Sequence, residues 1–185
     1  MEKEELTTIM KDLDDMAMRM LQLMKEYIDV KRTLEEFIKS GALHLAKSRY
    51  IMGNRTVSAL QLPAEDSNEF TALAKVLSVK DSSDEIIFDL NRLSLSDFSK
   101  NVKSRHPKPD KSGSEETNDL NNCIQDPLKW FGVLVPQNMR QAQSSFSKAL
   151  EYVIQATNLQ LEMARLKVNY ESKLDKKKKI LDLNI

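Results

Sequence analysis

At both ends of the chain apolar residues recur at alternating steps of three and four, a periodicity that permits little except paired helices. Leu6, Ile9, Leu13, Met16, Met20, Leu23, Tyr27, Val30, Leu34 and Phe37 hold this alternation without a break. Near the other end Ala142, Phe146, Ala149, Val153 and Ala156 do the same, and Leu159, Met163, Leu166 and Tyr170 continue it after a repeated step of three. That repeat predicts a shift of heptad phase and a locally overwound supercoil. Every glycine and proline lies between Gly41 and Pro136, so both ends are free of the residues that most disfavour helix. The spacing predicts a first helix ending near residue 40, roughly 48 Å long at 1.5 Å per residue. A last helix is expected to open at Pro136, whose fixed φ suits a first turn, and to run to about Leu174.

The seams also indicate what faces them. Ala142, Ala149 and Ala156 permit close approach of a partner, and the methionine-rich first helix is a suitable complement because methionine fills irregular gaps. Met10, Ala17, Met24 and Ile38 fall beside the first seam, so that helix is expected to meet a broad neighbour or more than one. Residues 1–40 carry 7 basic and 10 acidic side chains, and residues 137–185 carry 9 and 5, giving −3 against +4. Opposite charge favours pairing of the two ends with each other, in an antiparallel hairpin.

The segments between the helices read less clearly. Residues 43–52 fit a short helical extension closed by Gly53. Residues 70–79 and 85–90 are apolar enough for short strands or packed segments, and a small hairpin is one reading of them. From 99 to 125 the chain is lysine, serine, proline, asparagine and glutamate, with too little apolar surface to offset its ordering entropy, as in a disordered linker. The expected fold class is therefore mostly α: two long helices in an antiparallel coiled-coil hairpin, a short irregular or small β insertion, and a disordered linker. The expected divisions are a coiled-coil helix (1–40), an insertion (41–98), the linker (99–125), and an aromatic block leading into the second helix (126–185).

Several chemistries lack their residues. His44 and His106 are the only histidines and Cys123 the only cysteine, so no zinc spacing can be assembled and no internal disulfide can form. The single cysteine makes a reducing compartment the default. Cys123 has no histidine close in sequence to activate it, and His44 reads as a ring packed at a helix surface. In the heptad register Asp14, Asp15, Glu35 and Glu36 face outward and solubilise a helix. The four glycines are scattered singly, which excludes a phosphate loop, so no cofactor is expected. Lysine plus arginine equals aspartate plus glutamate at 28 each; Lys176–Lys179 reads as solvated charge that favours a helix C-terminus over an import or anionic-surface patch, and the cations of the linker have no aromatic neighbours for base stacking. Neither nucleic acid nor a small-molecule substrate is an expected partner, and a cryptic hydrolase would lack any clustered nucleophile and base. The acidic N-terminus is not a signal peptide, and nowhere do 18 apolar residues run together, so a membrane would be reached only through another protein.

Two clusters stand out. In the second, Asp126 and Pro127 suit an N-cap and first turn, so 128–131 can form one helical turn before Gly132 releases the chain into an extended 133–135. It holds the only tryptophan. Trp130 and Phe131 there are open to two readings, a hydrophobic plug that anchors the linker or a docking surface for another protein. The first cluster, at 45–53, is an amphipathic helix end.

Together, and in this order, the clusters resemble the signature blocks of the coiled-coil domain-containing protein 115 family, metazoan relatives of the cytosolic yeast assembly factor for the vacuolar proton ATPase. The matching stretches are LxLAKxRYxMG at 43–53 and DPLxWFGxLVPxxxRQAQxSF at 126–146. The chain's plan matches too, whereas residues 60–125 contribute nothing to the resemblance. It implies a non-enzymatic, chaperone-like accessory factor. The implied partners are a membrane-embedded assembly factor and subunits of the proton-translocating membrane sector. The implied location is the cytosolic face of the endoplasmic reticulum and the ER-Golgi intermediate compartment, extending to endosome or lysosome. Loss would impair acidification of lysosomes and Golgi. Candidate protein-binding residues are Trp130, Phe131, Leu134, Pro136 and Arg140, with Lys47, Arg49 and Tyr50 from the first block. The alternative class is a structural coiled-coil adaptor or tether.

Overall fold

The computed structural model describes residues 2–63, 71–80, 86–93 and 126–182. Two long helices dominate, α1 (Glu2–Met52) and α2 (Gln137–Asp182), joined by segments that include an antiparallel pair of strands, β1 (Ala74–Lys80) and β2 (Ile86–Arg92). The linker expected over 99–125, with Cys123 and His106, lies outside the described residues. The fold divides into two compact units, one of Met1–Glu36 with Ala149–Ile185 and the other of Phe37–Lys148.

The first unit is a helix pair, antiparallel as expected. Progress along α1 runs backward along α2. Asp12 meets Lys173 in an ion pair, Arg19 donates to Glu162 at 2.7 Å, and Gln160 Nε2 donates to the Tyr27 hydroxyl at 2.8 Å. The hydrogen bond and charge of Glu162 raise the pKa of Arg19, so this cation keeps its charge at any ordinary pH. Such exposed pairs set register more than stability. Stability comes from the seam: Leu13, Leu23, Leu34, Ala149 and Ala156 are buried, and Leu23 is wholly inaccessible. Asp14, Asp15, Glu35 and Glu36 are exposed, as the register of α1 requires. An apolar groove of about 320 Å³, lined by Met16, Ala17, Met20, Leu21, Lys167 and Tyr170, opens at the surface beside the seam.

Three helical expectations are corrected. First, the coiled-coil helix does not stop near residue 40: it and the helical extension expected over 43–52 form one continuous helix, which ends at Met52 before Gly53 as expected. Its buried or half-buried positions continue in the same alternation through Phe37, Gly41, His44 and Ser48, where the seam changes from apolar to small and polar side chains. Ser48 is fully buried, and its hydroxyl is satisfied by the His44 carbonyl at 2.9 Å. His44 Nδ1 is buried with no hydrogen-bond partner among the described residues. Second, α2 has no phase shift, because its inward positions are Ala142, Ser145, Ala149, Tyr152, Ala156, Leu159, Met163, Leu166 and Tyr170, an unbroken alternation. Phe146 and Val153 sit beside that line at 37% and 41% exposure. Third, α2 is not the broad neighbour expected of Met10, Ala17, Met24 and Ile38, which are exposed in this chain. Alanines on the facing seam draw in only the nearest row of α1.

In the second unit Gly41 explains how a glycine persists inside a long helix. A Cβ there would lie 2.9 Å from Cε1 and Cζ of Phe146, so the bare backbone makes room for the ring. Ser40 and Ser145 hydroxyls lie 3.5 Å apart and Lys148 stands 5.6 Å from the centre of the Phe37 ring, both within this unit. The strands pair from Ala74 with Arg92 to Lys80 with Ile86, which realises the small hairpin. A lone two-stranded ribbon is marginal in water. Here Phe88 and Leu90 are half-buried on the face that also carries Arg92, and the Arg92 guanidinium donates to the Ser147 carbonyl of α2.

Candidate functional site

The two sequence clusters, more than seventy positions apart, meet in one small core within the second unit. Gly53 ends α1: its N–H returns to the Arg49 carbonyl at 2.9 Å and its φ of +87° turns the chain, a conformation glycine adopts without strain. The Arg49 guanidinium then donates through Nε to the Val57 carbonyl at 3.2 Å and pins the returning loop. Val57 enters a core with Leu128 and Met139, and Met52, Phe131 and Val135 pack around these three.

The second block is built as its residues predict, with a 3₁₀ turn over Pro127–Phe131. The Asp126 carboxylate accepts from the Leu128 N–H at 3.0 Å and caps that turn. The same oxygen accepts from Gln143 Nε2 at 3.1 Å, which ties the turn to α2. At its other end Gly132 closes the turn onto the Lys129 carbonyl with φ of +132°. The chain then runs out through Val133 and Leu134 and returns at Val135 to the core. Pro136 supplies the carbonyl that accepts from the Met139 N–H at 3.0 Å, at the start of α2.

Among the candidate binding residues, this arrangement separates supports from exposed groups. Phe131 packs against the core, while Trp130 and Pro136 are half-buried. Leu134 and Tyr50 are each 91% exposed, and Lys47, Arg49 and Arg140 are also at the surface. The structure adds residues that sequence reasoning did not single out. Val133 is 96% exposed, Leu60 86% and Ile51 61%, all close in sequence to members of the core. Val133 and Ile51 lie inside the two blocks, between the apolar seams that end at Phe37 and begin at Ala142. Leu60 had no periodic signal, since it sits in the short 3₁₀ turn Ala59–Gln61. Val57 and Met139 were missed because nothing in the sequence pairs residues so far apart.

The arrangement leaves Tyr50, Ile51, Leu60, Val133 and Leu134 exposed in the segments that carry the small core. No helix among the described residues is long and apolar enough to cross a membrane, and among them no group of histidine, cysteine and carboxylate side chains is placed to hold a metal.

Comparison with known proteins follows the same residues. The family model described as Vma22/CCDC115 matches residues 14–149, which include both blocks and the core they form. Among curated relatives, a Danio rerio protein named Vacuolar ATPase assembly protein VMA22 is 27% identical over 169 residues, covering 80% of this chain and 81% of the relative. The Homo sapiens protein of that name is 28% identical over 159 residues, covering 80% and 82%. The Bos taurus protein is 30% identical over 144 residues, covering 73% and 74%. With a match that spans most of its length and contains the residues of its second-unit core, the chain belongs to the Vma22/CCDC115 family.

Proposed function

We propose that the protein is a non-catalytic, chaperone-like accessory factor for assembly of the vacuolar-type proton ATPase. The observation that carries this reading is the match to a family whose curated members are named for that assembly, over a span containing both blocks. The structure supports it by making those blocks one unit, with a core that holds exposed side chains in place. The finer reading is that the protein works at the cytosolic face of the endoplasmic reticulum and the ER-Golgi intermediate compartment. There it pairs with a membrane-embedded assembly factor and helps build the membrane sector, on which acidification of lysosomes and Golgi depends.

Replacement tests the reading most directly. In human cells lacking the relative named for vacuolar ATPase assembly, expression of this chain is expected to restore assembled membrane sector and lysosomal acidity. Fractionation of the same cells should recover the protein with endoplasmic reticulum membranes, and mild-detergent capture should recover ATPase subunits. Expression at normal levels with neither assembly nor acidity restored, and no ATPase subunit captured, would remove the assembly role. Recovery of filament or vesicle-tether proteins instead would favour an adaptor.

A further inference from the structure

We propose that the exposed apolar rim around the Val57–Leu128–Met139 core contacts a bilayer directly and selects anionic phospholipid. Single exposed apolar residues are ordinary on protein surfaces. The arrangement here is more specific. Val133, Leu134, Tyr50 and Leu60 are each at least 86% exposed, Ile51 is 61% exposed, and every one lies within three residues of Met52, Val57, Phe131 or Val135. All five are therefore close sequence neighbours of one small core.

Their form and their surroundings identify the occupant. Side chains this exposed stand out from the fold instead of lining a pocket. Projecting leucine and valine tips with a tyrosine suit the boundary between headgroups and acyl chains. The charges point the same way. Lys47, Arg49, Arg55, Lys129 and Arg140 are all exposed in the segments that carry the rim. The one carboxylate in 47–63 and 126–140, Asp126, is engaged by the Leu128 N–H and by Gln143. Cations around apolar tips are what an anionic surface attracts. Glu65, Asp66 and Glu69 follow in the sequence outside the described residues, so the strength of the cationic field is read by salt titration. Since no helix among the described residues can cross a membrane, this contact would be peripheral.

The test uses the purified full chain and sedimentation with vesicles of phosphatidylcholine, with and without phosphatidylserine. Binding is expected only with phosphatidylserine and should weaken as salt rises. Val133→Asp with Leu134→Asp should lower the partition coefficient about tenfold or more, since two apolar contacts become repulsive charges. The melting curve should not move, because both side chains are almost fully in water. Lys47→Glu with Arg140→Glu should remove the phosphatidylserine preference. Absence of wild-type binding to either vesicle would overturn the proposal, as would binding that the Val133/Leu134 variant retains in full. If that variant keeps vesicle binding but loses capture of ATPase assembly proteins, the rim is a protein-docking surface and the lipid reading is wrong. The vesicle assay contains no ATPase component, so its failure leaves the assembly reading standing, and failed rescue in cells leaves the lipid reading standing.

Discussion

Replacing Gly41 by alanine sets two effects of known sign against each other. In an ordinary helix interior the change stabilises by about 1 kcal/mol, because glycine loses more backbone entropy on folding. Here the new Cβ would stand 2.9 Å from two carbons of the Phe146 ring, closer than carbon atoms pack. Overpacking of that kind costs about 1–3 kcal/mol. The ring is 37% exposed and has some freedom to shift, which holds the cost toward the lower end. Gly41→Ala is therefore expected to destabilise by about 0–2 kcal/mol, despite the propensity gain. In a Phe146→Ala background the obstruction is gone and the same change should stabilise by about 1 kcal/mol, giving a coupling of about 1–3 kcal/mol. Urea unfolding of the four proteins, followed by circular dichroism with matched slopes, measures this cycle. If Gly41→Ala stabilises equally in both backgrounds, the ring does not rest on the backbone of α1 and the account of the glycine is wrong.

Other perturbations probe the remaining links. Leu23→Ala should cost about 2–5 kcal/mol because the side chain is wholly buried, while Leu21→Ala, at 63% exposure, should stay within about 0.5 kcal/mol; thermal melts of the pair check the register of α1. Asp126→Ala should cost about 0.5–2 kcal/mol by uncapping the turn at Leu128, and more than Asp126→Asn, which keeps an acceptor; chemical denaturation reads the difference. Cysteines placed at Met16 and Tyr170, which line one groove, with Cys123→Ser, should crosslink within one chain; in a mixed-label sample, links found only between chains would replace the hairpin with a dimer.

What the sequence made legible follows from where apolar side chains did the packing. Along α1 as far as Phe37 each inward residue is apolar, and the alternation gave the burial directly. Past that point the inward residues are Gly41, His44 and Ser48, whose burial depends on a bare backbone and a local hydrogen bond, so a search for apolar periodicity ends the helix too early. On α2 the same search chose Phe146 and Val153 over Ser145 and Tyr152, and so produced a phase shift that the helix does not have. Hydrophobicity misled there because Phe146 meets a glycine from beside the seam and Ser145 lies opposite another serine. The turn after Asp126 was legible in full, since a cap, a proline and a terminal glycine are local signals. The core that joins it to α1 was not, because Val57, Leu128 and Met139 carry no shared period.

That last gap bears on how loss of function in this region is to be interpreted. Three residues of the second block, Leu128, Phe131 and Val135, belong to or pack against the core, and truncating them perturbs the fold before it perturbs any contact. Val133 and Leu134 lie in the same block but contribute almost nothing to the interior. A chain needing only a plug for its linker would gain nothing by holding these two in water between a glycine turn and a returning valine. Adjacent apolar side chains left this exposed mark a surface that something else can cover. Substitutions at Phe131 and at Leu134 thus ask different questions: the first whether the surface is braced, the second whether it is used. A variant that keeps its melting temperature and loses activity must come from the second group, which makes Leu134 and Tyr50 better first probes of function than Trp130.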